Sequence, residues 1–290
     1  MPLLGAHMSI SGGLYRAPLK GREAGCQAIQ IFTRNRNRWR TKELSPKEIG
    51  LFHKACEETS IPVVAAHSSY LINLASTRHH VFEKSVHALV QELERAERLE
   101  IPYLVMHPGA HLGGGEKKGL VRIAGALNGV LERTSDYRVK ILLETTAGQG
   151  TSLGYRLEHL AEILEMTESR DRLGICLDTC HAFAAGYDFR TVKAYRQFLK
   201  EFDRILGLDL LRLLHINDSK NGLGSRVDRH EHPGAGCIGL RAFSFFLNDP
   251  KLAHLPFLLE TPKGKNKDGL DWDRVNLNIL RNLIKKANHN

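Results

Sequence analysis

Eight times along this 290-residue chain, a compact run of Val, Ile and Leu is followed by a longer segment with helical periodicity. The runs are Leu3–His7, Ala28–Phe32, Val63–His67, Tyr103–His107, Lys140–Glu144, Gly174–Asp178, Leu211–Ile216 and Pro256–Glu260. None alternates regularly between apolar and polar residues, as expected of strands covered on both faces. Between them, Val81–Leu99 places Val86, Leu89, Val90, Leu93, Ala96 and Leu99 at spacings of three and four, and Phe189–Leu206 behaves similarly. The alternation predicts an α/β fold, an eight-stranded β/α barrel, with residues 1–290 forming one domain. An open doubly wound sheet is the competitor. No Gly-x-Gly-x-x-Gly follows any of the runs, which weakens a dinucleotide-binding reading.

The residue closing each run narrows the chemistry. Run three ends at His67, four at His107, five at Glu144 and six at Asp178; His215 lies near the end of run seven, and run eight ends at Glu260. The intervals are 40, 37, 34, 37 and 45 residues, close to one β/α unit each. In a barrel these ends converge on the face where active sites of the fold sit. Any one of them alone is more often a hydrogen-bonded core His or a helix-capping acid. Packed together without cations, they would suffer like-charge repulsion and desolvation, which divalent metals remove. Three further candidates lie in loops: His181 follows Asp178 closely, and Asp228-Arg-His230 sets two ligand types on one face of an extended segment. His and carboxylate donors without thiolate suit catalytic Zn²⁺, with Mn²⁺ or Fe²⁺ as alternatives.

Composition sets the outer bounds. Forty-one Lys and Arg against 32 Asp and Glu give a net charge of +9, which is compatible with a polyanionic partner, nucleic acid first, and also with an enzyme that is merely basic. No stretch of eighteen apolar residues predicts a membrane span, and the N-terminus lacks a secretory signal pattern. The scattered cysteines Cys26, Cys56, Cys176, Cys180 and Cys237 read as reduced core thiols of a cytoplasmic protein.

Longer motifs carry a resemblance. Gly5-Ala-His-Met-Ser-Ile-Ser-Gly-Gly13, His67-Ser-Ser-Tyr-Leu-Ile-Asn-Leu, His107-Pro-Gly, Leu143-Glu144-Thr-Thr-Ala-Gly-Gln-Gly and Leu177-Asp178-Thr-Cys-His181 stand in that order. Ala184-Ala-Gly-Tyr-Asp188, His215-Ile-Asn-Asp-Ser-Lys, Gly224-Ser-Arg-Val-Asp228-Arg-His230 and Leu259-Glu260-Thr-Pro follow. Together they closely resemble the endonuclease IV family of apurinic/apyrimidinic (AP) endonucleases, from about residue 4 to 280. The resemblance implies a xylose-isomerase-like TIM barrel and three zinc ions on nine ligands. By it, His67 and His107 hold the first ion, Asp178, His215 and Glu260 the second, Glu144 bridges these two, and His181, Asp228 and His230 hold the third. Loading would raise the chain's charge from +9 to about +15. The implied reaction is attack by a metal-bound hydroxide on the phosphodiester 5′ to an abasic site in double-stranded DNA. The products are a 3′-hydroxyl and a 5′-deoxyribose phosphate, and the resemblance also implies cleaning of blocked 3′ ends in base excision repair. A monomer in the cytoplasm, beside the nucleoid, is expected.

Abasic DNA presents a gap and a bendable backbone, which side chains wedged into the stack can read. Tyr70 and Leu71 match the family's inserting loop. Thr33-Arg-Asn-Arg-Asn-Arg-Trp-Arg40 is basic with one aromatic and reads as a groove or phosphate contact. Family members insert an Arg at the position of Asn37; this chain has Arg36 and Arg38 on either side instead. Pro233 is a smaller departure, where Ile or Leu is usual. The loops starting at His111 and Gly264 read as surface turns. Two rivals compete with a nuclease. A sugar isomerase using Glu144, Asp178, His215 and Glu260 around one ion would leave the other ligand candidates unexplained. A DNA-binding protein without catalysis would have no need of buried acids.

Overall fold

The computed structural model describes residues 2–285. Eight parallel strands close into a barrel in the order β1-β8-β7-β6-β5-β4-β3-β2. They are β1 (Leu3–Met8), β2 (Ala28–Phe32), β3 (Val63–His67), β4 (Tyr103–Met106), β5 (Lys140–Glu144), β6 (Leu173–Asp178), β7 (Leu211–His215) and β8 (Pro256–Leu259). The helices are α1 (Arg16–Ala24), α2 (Pro46–Thr59), α3 (His79–Arg98), α4 (Glu116–Arg133), α5 (Leu157–Met166), α6 (Thr179–Ala185), α7 (Val192–Leu206), α8 (Leu240–Leu247) and α9 (Trp272–Leu283). The eight strands are those expected, with ends moved by at most one residue: His107 and Glu260 stand just past β4 and β8.

Local chemistry starts the helices. Ser45 caps α2 through a reciprocal pair with Glu48, whose carboxylate accepts from the Ser45 backbone N–H at 2.9 Å. Helix α7 starts at Val192 rather than Phe189, because the Thr191 hydroxyl accepts from the Ala194 N–H. Phe189 is instead a fully buried loop residue packed on Phe246 and Phe198. The basic loop and the Tyr70 segment are irregular, with Tyr70 and Leu71 in a turn ahead of α3.

The main core lies between the barrel and its helices. A second, small cluster draws one residue from each of seven strands: Ala28, Ala65, Val105, Leu142, Cys176, Leu213 and Leu258. Successive side chains in a strand point to opposite faces, so residues two further on share the face of this cluster. Those residues are Gln30, His67, His107, Glu144, Asp178, His215 and Glu260. On β1 the pair is Gly5 and His7; a Cβ on Gly5 would lie 1.7 Å from the Ala28 carbonyl oxygen, so only glycine permits β1 to approach β2 there. An apolar layer therefore supports a polar one along every strand of the barrel.

All five cysteines are free, and Cys26, Cys176 and Cys180 are buried as expected. Cys237 is exposed, which corrects its reading as a core thiol: it lies in the loop before α8, with its Sγ on the Lys220 carbonyl at 3.7 Å. Among the described residues no helix is long and apolar enough to cross a membrane.

Candidate metal centre

Glu144 is the centre of the polar layer and has no exposure to solvent. Its Oε2 lies 3.1 Å from both His67 Nε2 and His107 Nε2, and its Oε1 lies 2.8 Å from His215 Nδ1. His215 Nδ1 also faces Glu260 Oε2 at 3.3 Å and Asp178 Oδ2 at 3.9 Å. On the outer side, His181 Nε2 stands 3.2 Å from Asp228 Oδ1, and His230 Nε2 stands 3.6 Å from the same oxygen. The nine sequence-predicted ligands thus come together, in sets whose donor atoms lie within 4.8 Å of one another.

The hydrogen bonds behind the rings decide which nitrogen each His presents. A backbone carbonyl can only accept, so the ring nitrogen facing it must carry the proton. His67 Nδ1 donates to the Ser68 carbonyl at 2.8 Å, His181 Nδ1 to Thr145 at 2.8 Å and His230 Nδ1 to Glu260 at 3.2 Å. His215 Nε2 donates to Gln30 Oε1 at 3.0 Å; the amide orientation is set because Gln30 Nε2 must donate to Glu260 Oε1 at 2.6 Å. In each case the remaining nitrogen faces the carboxylates, where it can share a proton with them or bind a cation. That arrangement fits metal ligation, in which the outer N–H is tied down and the inner nitrogen is left to bind.

The electrostatics agree. Burial alone would raise the pKa of Glu144, but His215 and His107 beside it hold its carboxyl well below the usual range. Burial works against a charged His181, yet Asp178 and Asp228 outweigh it and lift the imidazole well above its ordinary value. The centre is therefore built for positive charge. Cys180 also approaches Asp228 and His230. Burial pushes its thiol up to about 12, and its Sγ sits 3.6 Å from the Arg229 carbonyl, so it fits the packing role read from the sequence.

Three positioning residues were not singled out from the sequence. Gln30 links His7, His215 and Glu260, with its Nε2 3.0 Å from His7 Nδ1. Its signal was a lone amide inside the apolar run Ala28-Ile-Gln-Ile-Phe32. His7, at a strand end like the ligands, approaches Glu260 at 3.4 Å. Asn217 donates to Asp178 Oδ2 at 2.7 Å and accepts from the Glu260 N–H at 2.7 Å. Asp178 itself does both jobs open to a strand-end acid: its Oδ1 caps α6 through the His181 N–H at 2.8 Å while its Oδ2 faces the centre. The ribbon pairing Asp218–Ser219 with His230–Glu231 carries His230, and the buried Asp218 holds it by accepting from the N–H groups of Gly234 and Ile238.

Tyr70 is 53% exposed and stands at the rim, its ring 5.6 Å from His67 and 5.7 Å from Phe32. Leu71 beside it is half-buried. Arg36 and Arg38 are exposed, and the Arg36 guanidinium lies 5.4 Å from the Tyr70 ring centroid. Arg34, in the same basic run, turns inward and pairs with Glu92 at 3.0 Å, so it is no surface contact.

A closed parallel barrel with a His- and carboxylate-rich layer at its C-terminal mouth defines a metal-site enzyme barrel. Residues 19–282 match the family model for the xylose isomerase-like TIM barrel. Within that class the chain belongs to the endonuclease IV family. It is 50% identical over 98% of its length, and 99% of the relative's, to a Chloroflexus aggregans protein described as a probable endonuclease 4. A Geotalea daltonii protein of the same description is 51% identical, covering 98% of each chain. The crystal structure of endonuclease IV from Thermus thermophilus superposes with a TM-score of 0.84 at 37% identity, covering 97% of this chain and 98% of that one. A D-tagatose 3-epimerase-like protein shares the fold, with a TM-score of 0.73 at 22% identity, covering 97% of this chain and 96% of that one.

Proposed function

We propose that this chain is a metal-dependent AP endonuclease. It would hydrolyse the phosphodiester 5′ to an abasic site in duplex DNA, leaving a 3′-hydroxyl and a 5′-deoxyribose phosphate, and clear blocked 3′ ends, acting as a cytoplasmic monomer in base excision repair. The observation that carries it is the complete set of inward-facing donors, above all the outer set of His181, Asp228 and His230. An isomerase built around one ion would need only Glu144, Asp178, His215 and Glu260; here His181, Asp228 and His230 stand beside that set with their donor atoms 3.2–3.6 Å apart.

His67 and His107 would hold one ion, Asp178, His215 and Glu260 a second, with Glu144 between them, and the outer set a third. Nitrogen and carboxylate donors with a protonated Cys180 favour zinc, with Mn²⁺ or Fe²⁺ as the alternatives. Bound divalent ions would supply Lewis acidity toward phosphate oxygens and lower the pKa of water. The chain's own residues orient the ligands: Gln30 and Asn217 hold His215, Asp178 and Glu260, and the backbone carbonyls of Ser68, Thr145 and Glu260 fix three imidazoles. The donors are imidazoles and carboxylates, and hydrolysis on them needs no Lys amine, which separates this chemistry from Schiff-base elimination.

At the rim, Tyr70 and Leu71 would enter the duplex at the lesion. Arg36 stands beside Tyr70 and would share that role in the absence of an Arg at Asn37; Arg38 would contact phosphate. The test is cleavage of an end-labelled duplex with one abasic site, read for a 3′-hydroxyl end, together with a metal count on the purified protein. An uncleaved abasic strand from metal-replete protein, or a single bound equivalent, would overturn the reading.

A further inference from the structure

We infer that Glu92, on α3, is a positioning residue that ties the loop after β2 to the loop after β3, so that Arg36 and Tyr70 meet DNA as one unit. The inference rests on the proposed role of those loops at the lesion.

Glu92 has no solvent exposure, and its partner Arg34 only 4%. One oxygen, Oε1, accepts from two separate segments: from Arg34 Nε at 3.0 Å and from the Ser69 backbone N–H at 2.9 Å. Arg34 precedes Arg36 by two residues, and Ser69 directly precedes Tyr70. The loops are joined a second time where the Ser69 hydroxyl donates to the Arg36 carbonyl. The same helix grips the β2 loop further along. Arg95 donates to the carbonyls of Thr33 and Lys42, and Arg98 to that of Leu44. At Glu92 alone among these does α3 hold both loops.

Stability does not explain a buried ion pair at this place, since an apolar pair of similar volume is often at least as stable. Apolar packing, however, cannot fix the direction of two chain segments toward each other, whereas a shared acceptor can. Loops ordered at folding have less freedom to lose when DNA binds, so a fixed Arg36–Tyr70 pair strengthens recognition without a new contact.

The test is the double variant Arg34→Met with Glu92→Met, which removes both charges together and leaves neither unpaired. Hydrogen exchange on the metal-loaded protein is expected to rise in segments 33–40 and 68–73 together, while the loop 264–270, whose hydrogen bonds are its own, is unchanged. Its preference for abasic over intact duplex should fall roughly tenfold, and adding Tyr70→Ala should take away little more. Exchange that stays at the parent level, or rises in one segment only, overturns the inference; so do losses that multiply with Tyr70→Ala. If the double variant does not fold, Glu92→Gln replaces it: exchange should rise at 33–40, where Arg34 loses its counter-charge, and unchanged exchange there overturns the inference. The exchange result needs no DNA. A parent that fails to prefer abasic duplex therefore refutes the proposed function, while exchange still decides whether Glu92 couples the loops.

Discussion

His181 and His230 present their Nε2 atoms to each other at 3.4 Å, with the Nδ1 hydrogen of each ring committed to a backbone carbonyl. Two ring nitrogens so placed beside Asp228 call for a cation between them. His230→Ala is expected to lower the bound metal by one equivalent and leave the inner ions in place, because Glu144 and its partners are untouched. Elemental analysis after gel filtration reads this directly. A variant that retains the parent's full metal content would remove His230 from the ligand set.

Glu144 stands between two donor sets, so Glu144→Gln should damage hydrolysis far more than lesion binding, which depends on loops and phosphate contacts. A single-turnover rate within about tenfold of the parent, a barrier change of only ~1.4 kcal/mol, would refute the bridging role.

Gln30 fixes the ring of His215 and one oxygen of Glu260 at once. Gln30→Leu keeps the bulk and removes both bonds, and it should weaken metal binding at that site by roughly 10–100-fold. Competition with a chelator of known affinity measures the change; unaltered affinity would show that Gln30 only fills space.

Metal removal should make stability depend on pH. Burial opposes charge on both rings, yet Asp178 and Asp228 raise His181, and Cys176 with Glu260 and Glu144 raises His215, well above the ordinary value of 6.5. A raised folded-state pKa gives stability that is complete below the unfolded value and is lost as pH rises through the folded one. The metal-free protein should therefore melt at a lower temperature at about pH 9 than at about pH 6. Bound ions replace those protons, so the loaded protein should hold its Tm across the same range. A metal-free Tm that is flat or rising would argue against the cluster's charge balance.

Tyr70→Ala and Arg36→Ala should erode the preference for abasic over intact duplex, since a wedge contributes on unstacked DNA and little on B-form. Arg38→Ala should weaken both substrates alike and reduce the salt slope by roughly one unit. Equilibrium binding at several salt concentrations separates the two behaviours. If Arg36→Ala weakens both duplexes equally, its place beside Tyr70 does not amount to a shared role.

The barrel and its inner donors were legible because strand chemistry is local. Val63–His67 and Lys140–Glu144 are short runs buried on both faces, and each ends in the very residue that a period of two places above the apolar layer. Sequence alone thus determined the number of strands and the donor side chain at or beside the end of six of them. It could not assign Arg34, which reads as one more cation in a basic loop, because its partner Glu92 is 58 residues away. Nor could it separate Arg36 from Arg38, or place Cys237 outside the core. Those outcomes depend on which groups the closed barrel brings within hydrogen-bonding distance. The same holds for the direction of every imidazole: residue type supplies two ring nitrogens, and only the carbonyl or amide packed behind the ring settles which one carries the proton.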